Sequence, residues 1–169
     1  IAARMGKNGK NLDYRVTLGY RADQGYASTV INDRSATRLA NVRANYHPNN
    51  VDNFDFQLGY SEGVRGLGVV GREDESLFRD TWTSSDFQQL TWLHVRPQGD
   101  EVKVHYYHIY RSVRDNAPRG TSPQYNTSDN SEVDRHDLEL QHSTELGADN
   151  RLVWGAGVRS DAVDSPLNL

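Results

Sequence analysis

The feature that most limits how this chain can fold is an alternation of apolar and polar residues with period two, repeated in segment after segment. Successive side chains on a β-strand point to opposite faces, so each such segment reads as a strand with one apolar and one polar face. Tyr14, Val16, Leu18 and Tyr20 oppose Arg15, Thr17, Gly19 and Arg21. Ala40, Val42, Ala44 and Tyr46 oppose Asn41, Arg43, Asn45 and His47, and Phe54, Phe56, Leu58 and Tyr60 oppose Asp55, Gln57, Gly59 and Ser61. Val102, Val104, Tyr106 and Tyr110 stand against Lys103, His105, Tyr107 and Arg111. Leu138 and Leu140 oppose Asp137, Glu139 and Gln141, and Leu152, Trp154, Ala156 and Val158 oppose Arg151, Val153, Gly155, Gly157 and Arg159. A short opening strand over 1–6 and a segment over 87–96 bring the count to about eight. In the latter segment the alternation does not choose cleanly, and Leu90 and Trp92 are assigned to the apolar side.

The connections alternate too. KNGK, HPNNVDN, PQGD and LGADN are short and carry the Asn, Gly, Pro and Asp that tight turns require. Between them lie long connections around residues 22–35, 63–85 and 112–133. Short turns at one end and long loops at the other are the mark of a transmembrane β-barrel. Hydrocarbon demands that backbone groups pair between strands and that outward side chains be apolar, so charges must turn to the lumen. Under this register Arg15, Arg43, Asp55, Lys103, Asp137, Glu139 and Arg159 all face the lumen. A charge on the lipid side near the midplane would cost about 2–4 kcal/mol. Tyr14, Tyr20, Tyr46, Tyr60, Tyr110 and Trp154 fall on the lipid side, several near strand ends where aromatic girdles sit.

Composition agrees with a patterned polar chain. Only 36% of the residues are apolar and the mean hydropathy is −0.80, little material for a closed soluble core, yet nine Tyr, three Trp and four Phe are spread regularly through the chain. A net charge of −4 gives no positive field to recruit nucleic acid. The absence of cysteine excludes disulfides and thiolate metal sites. No apolar run reaches the roughly 18–20 residues of a membrane helix, and the first ten residues lack the apolar core of a signal peptide. A membrane would therefore be crossed by strands.

Three stretches, NLDYRVTLGYRADQGY, NFDFQLGYSEG and RHDLELQHSTELGADNRLVWGAGVRSD, resemble the barrel of TonB-dependent outer-membrane receptors, and the resemblance covers nearly the whole chain. It implies an all-β fold: about eight up-and-down strands, roughly the second to the ninth, of an antiparallel transmembrane barrel of about 22 strands. The plug, the segment that engages TonB and the remaining strands are expected to lie outside these residues. The implied function is import of a scarce nutrient, such as a ferric siderophore or other metal chelate, across the outer membrane. The implied partners are outer-membrane lipid, the small-molecule or metal-chelate ligand and, through the plug, the TonB complex. No enzymatic role, cofactor or nucleic-acid partner is expected. Two other readings are a self-contained small barrel acting as adhesin, anchor or rim enzyme, and a soluble β-sheet binding module.

No motif carries catalytic chemistry. Gly66, Gly68 and Gly71 match the dinucleotide fingerprint G-x-G-x-x-G, but a fully buried strand before it and a helix after it are missing. His136 lies beside Asp134 and Asp137 near the long-loop end of a strand. Neighbours on a strand point to opposite faces, so His136 and Asp137 form no dyad. His105 and His108, three apart, face opposite ways and make a poor metal pair. Asn126-Thr127-Ser128 matches a glycosylation sequon without meaning in a bacterium. Aromatics and arginines in the long loops, Tyr26, Arg65, Trp82, Arg119 and Tyr125, are the candidate ligand contacts.

Overall fold

The computed structural model describes residues 1–26, 30–70, 79–115, 130–147 and 149–165. These residues form eight antiparallel strands joined up and down in one sheet, in the order of the chain: β1 (Ala2–Asn8), β2 (Leu12–Asp23), β3 (Ser35–Tyr46), β4 (Asp52–Leu67), β5 (Arg79–Val95), β6 (Glu101–Asp115), β7 (Ser131–Glu145) and β8 (Arg151–Asp164). Each strand pairs only with its neighbours in sequence, so β1 and β8 are open edges and the sheet is not closed. No helix occurs among the described residues.

Directly paired residues in an antiparallel sheet share a face, and the pairing brings the seven periodic segments into one register. Tyr14, Ala44, Phe56, Leu90, Tyr106, Leu138 and Val158 form a single row across β2 to β8. The adjacent row, on the other face, is Arg15, Arg43, Gln57, Gln89, Tyr107, Asp137 and Arg159. Leu90 and Trp92 pair with Phe56 and Phe54, which places the ambiguous β5 with its apolar face as expected. Tyr46, Phe54 and Trp92 stack in a line near the short-turn end, with ring centroids 6.2 and 6.3 Å apart. There Asp52 accepts hydrogen bonds from Trp92 Nε1 and Asn49 Nδ2, which pins the turn between β3 and β4.

No apolar side chain among the described residues is buried. Among the described residues nothing packs over the apolar face of this single layer, so Leu18, Phe56, Leu58 and Val158 are exposed.

The strands run further toward the long connections than the sequence pattern indicates. Residues 63–67 and 79–85, expected in a loop, belong to β4 and β5, and 112–115 and 131–133 extend β6 and β7. Past the apolar zone the apolar residues fall on both faces, Val64 and Trp82 on one and Val113 and Val133 on the other, so the alternation disappears while backbone pairing continues. A second departure from the pattern is Phe87, an aromatic on the polar face. It pairs with Gly59, where an added Cβ would come within 2.1 Å of the ring, so the missing side chain makes the space the phenyl group occupies.

Candidate functional site

On the polar face several charges are held by complementary partners on the neighbouring strand, while Arg15 stands directly across from Arg43. All seven residues assigned to it from the alternation, Arg15, Arg43, Asp55, Lys103, Asp137, Glu139 and Arg159, share this one face. Arg43 on β3 donates to Asp55 on β4, 2.9 Å from Nη2 to Oδ2. Arg159 on β8 donates to Asp137 on β7 at 2.9 Å, and one step along, Arg135 donates to Asp161. His105 Nδ1 lies 4.0 Å from Glu139. Opposite charges directly across strands stabilise a pair by a few tenths of a kcal/mol to about 1 kcal/mol. Their main consequence here is a wettable surface of balanced sign.

Toward the long connections the network tightens. Arg79 at the start of β5 grips Asp115 at the end of β6 through two parallel hydrogen bonds of 2.7 and 2.9 Å, and Asp115 is only 2% exposed. Asn130 adds a bond to the Asp115 amide. Asn32, before β3, donates its amide to the Arg79 carbonyl at 2.8 Å and packs against Gly66, where a Cβ would meet it at 2.0 Å. The backbone of 30–34 continues pairing alongside the end of β4, with Asn32 N–H donating to the Gly68 carbonyl and Ile31 bridging Val69. Gly66 and Gly68 of the fingerprint motif are thus explained as strand-end glycines, one making room for Asn32 and one turning at φ 105°. Arg34 ion-pairs with Asp80, and this carboxylate raises the arginine further above its ordinary value.

The three candidate ligand contacts among the described residues do not converge. Tyr26, in the connection between β2 and β3, is 80% exposed, and its backbone N–H donates to Asp33. Arg65 stands on the polar face opposite Ser35 and Thr81. Trp82 stands on the other face, opposite Val64 and Arg114, where with Tyr60, Glu62, Ser84 and Ser112 it lines a shallow depression of about 370 Å³. Arg119 and Tyr125 lie outside the described residues. Comparison with known proteins is silent. No family model, curated protein or solved structure matches the chain.

One grouping escaped the sequence reading. His108 is paired directly with His136, and Asp134 reaches both, so three ligating groups from β6 and β7 meet on the apolar-side face. Asp134 and His136 are two residues apart, which alone places them on a common face. The partner on the next strand depends on register, which no single strand encodes.

Proposed function

We propose that this chain is a section of the wall of an outer-membrane β-barrel, its apolar face toward lipid and its charged face toward the lumen. The observation that carries this is a slant in the apolar zone. On β2 the unbroken outward apolar run is Leu12 to Ala22, centred on Thr17. The row through Thr17 passes Asn41, Gly59, Phe87, Ile109 and Arg135 to Asp161, whereas the run on β8, Leu152 to Val158, is centred on Gly155, six residues before Asp161. The zone therefore slides six residues in six strand-to-strand steps, and the centres on β3 to β7 fall between. With about 3.3 Å per residue and about 4.8 Å between strands, one residue per strand is an inclination of about 35°. Membrane barrels tilt their strands by about 35–45°, so a level bilayer would cut this sheet along this slant.

The direction of the slide agrees as well. The Tyr20 N–H donates to the Ile1 carbonyl. For an L-residue on a rising strand, that places β1 to the right of β2 for a viewer whom the Tyr20 side chain faces. Right-handed twist leans barrel strands to the right when seen from outside. A level zone on the outer surface must then slide toward the short turns from β1 to β8, as it does. A level zone on the inner surface would slide the opposite way.

Within that setting we read the protein as a TonB-dependent receptor importing a ferric siderophore or another scarce metal chelate. Support for this finer reading is the sequence resemblance, together with open edges on β1 and β8 that suit a sheet continued by further strands. Unpaired edges are costly in hydrocarbon. Deleting the gene should abolish energy-dependent uptake of radioiron from one ferric or related chelate, and restoring it should restore uptake only in cells with an intact TonB complex. Uptake that is unchanged for every chelate, with a protein that folds as a closed eight-stranded monomer, would favour the self-contained small barrel instead.

A further inference from the structure

Where β6 meets β7, at the long-connection edge of the apolar-side face between Tyr106 and Tyr110, three ligating groups meet. His108 and His136 are cross-strand partners with rings stacked at 4.3 Å. Asp134 Oδ1 lies 2.9 Å from His108 Nε2 and 3.2 Å from His136 Nε2, and one ligand atom from each residue lies within 4.8 Å of the other two. The far nitrogens are occupied. His108 Nδ1 is 3.1 Å from Gln88 Oε1, and His136 Nδ1 is 2.9 Å from the Tyr106 hydroxyl.

Both imidazoles turn Nε2 to one carboxylate oxygen, His108 at 2.9 Å and His136 at 3.2 Å. The pairing of β6 with β7 sets the spacing of all three groups, so one small cation can meet one atom of each. Imidazoles whose other nitrogen is held by an outer partner are the usual arrangement of metal-bound histidines.

We propose that His108, Asp134 and His136 bind one divalent transition cation of the Zn²⁺ class. Both imidazoles ligate through Nε2 and the carboxylate through Oδ1, leaving a fourth position for water or an external anion. Two nitrogen donors and one oxygen suit Zn²⁺, Ni²⁺ or Cu²⁺, whereas Mg²⁺ and Ca²⁺ prefer oxygen alone. The Asp134 and His136 side chains are 45% and 50% exposed within the sheet, and both lie beyond Leu138 toward the long connection. The site follows from the pairing of β6 with β7 and does not depend on the transport reading.

The test uses the intact protein extracted in detergent from the membrane in which it is natively inserted. Titration with Co²⁺ should produce visible ligand-field bands that saturate at one equivalent and are displaced by Zn²⁺. Losing an outer partner alone weakens metal binding about 10–100-fold, so His108→Ala or His136→Ala should weaken it at least about a hundredfold. His105→Ala, on the opposite face, and His142→Ala, near the short turns, should leave binding unchanged. In the unaltered protein, Zn²⁺ should shield His108 and His136 but not His105 from diethyl pyrocarbonate, read by peptide mass spectrometry. No saturable Co²⁺ bands, or equal labelling of His108 and His136 with and without Zn²⁺, would overturn the proposal.

Discussion

Phe56→Arg is expected to lower the stability of the inserted protein by about 2–4 kcal/mol, the cost of a cation facing hydrocarbon near the bilayer midplane. Phe56 sits in the row where every residue from β2 to β8 is apolar, with Ala44 and Leu90 as its partners. The contrast is Gln89→Arg, one row over on the charged face beside Gln57 and Tyr107, which should change stability by no more than about 0.5 kcal/mol. Urea unfolding in lipid vesicles measures both. Equal, small effects would mean that the apolar face meets water; a large loss only for Gln89→Arg would mean that the faces are reversed.

The second large effect is expected at the long-connection end. Arg79→Met should destabilise by about 3–5 kcal/mol, because it strands the Asp115 carboxylate without its cation in a place where desolvation is nearly complete. The Arg79 and Asp115 side chains are 18% and 1% exposed, so solvent screening does little to soften the loss. Adding Asp115→Leu to the same protein should return most of the lost stability, since replacing both partners removes the uncompensated charge. Unfolding midpoints of the single and double variants decide it. A single variant as stable as the parent would show that the pair is effectively hydrated.

How much of this is legible in the sequence follows from where the apolar zone constrains it. Within the zone every second residue is constrained to be apolar, so Tyr14 to Tyr20, Phe54 to Tyr60 and Leu152 to Val158 announce strand, face and phase without ambiguity. Beyond it the constraint lapses. Gly63, Thr83, Ser85 and Ser131 carry no alternation, and the upper halves of β4 to β7 read as loop although their backbones remain paired. The seven charged residues of the polar face were assigned from parity alone, which needs no knowledge of neighbours. The Arg79–Asp115 clasp and the His108–Asp134–His136 group needed the register between strands. Both join residues more than 25 positions apart, across connections whose length the periodicity leaves open.

Solvent access to the two faces tests the central claim most directly. Single cysteines at Leu18, Val42, Phe56, Val104, Leu140 and Ala156 should react with a lipid-soluble maleimide and resist a charged, water-soluble one in native membranes. Cysteines at Thr17, Arg43, Gln57, Lys103, Glu139 and Gly157 should react with the water-soluble reagent. Aqueous labelling of the first set, or a reversal of the two sets, would contradict a sheet that lies in the bilayer with its apolar face outward.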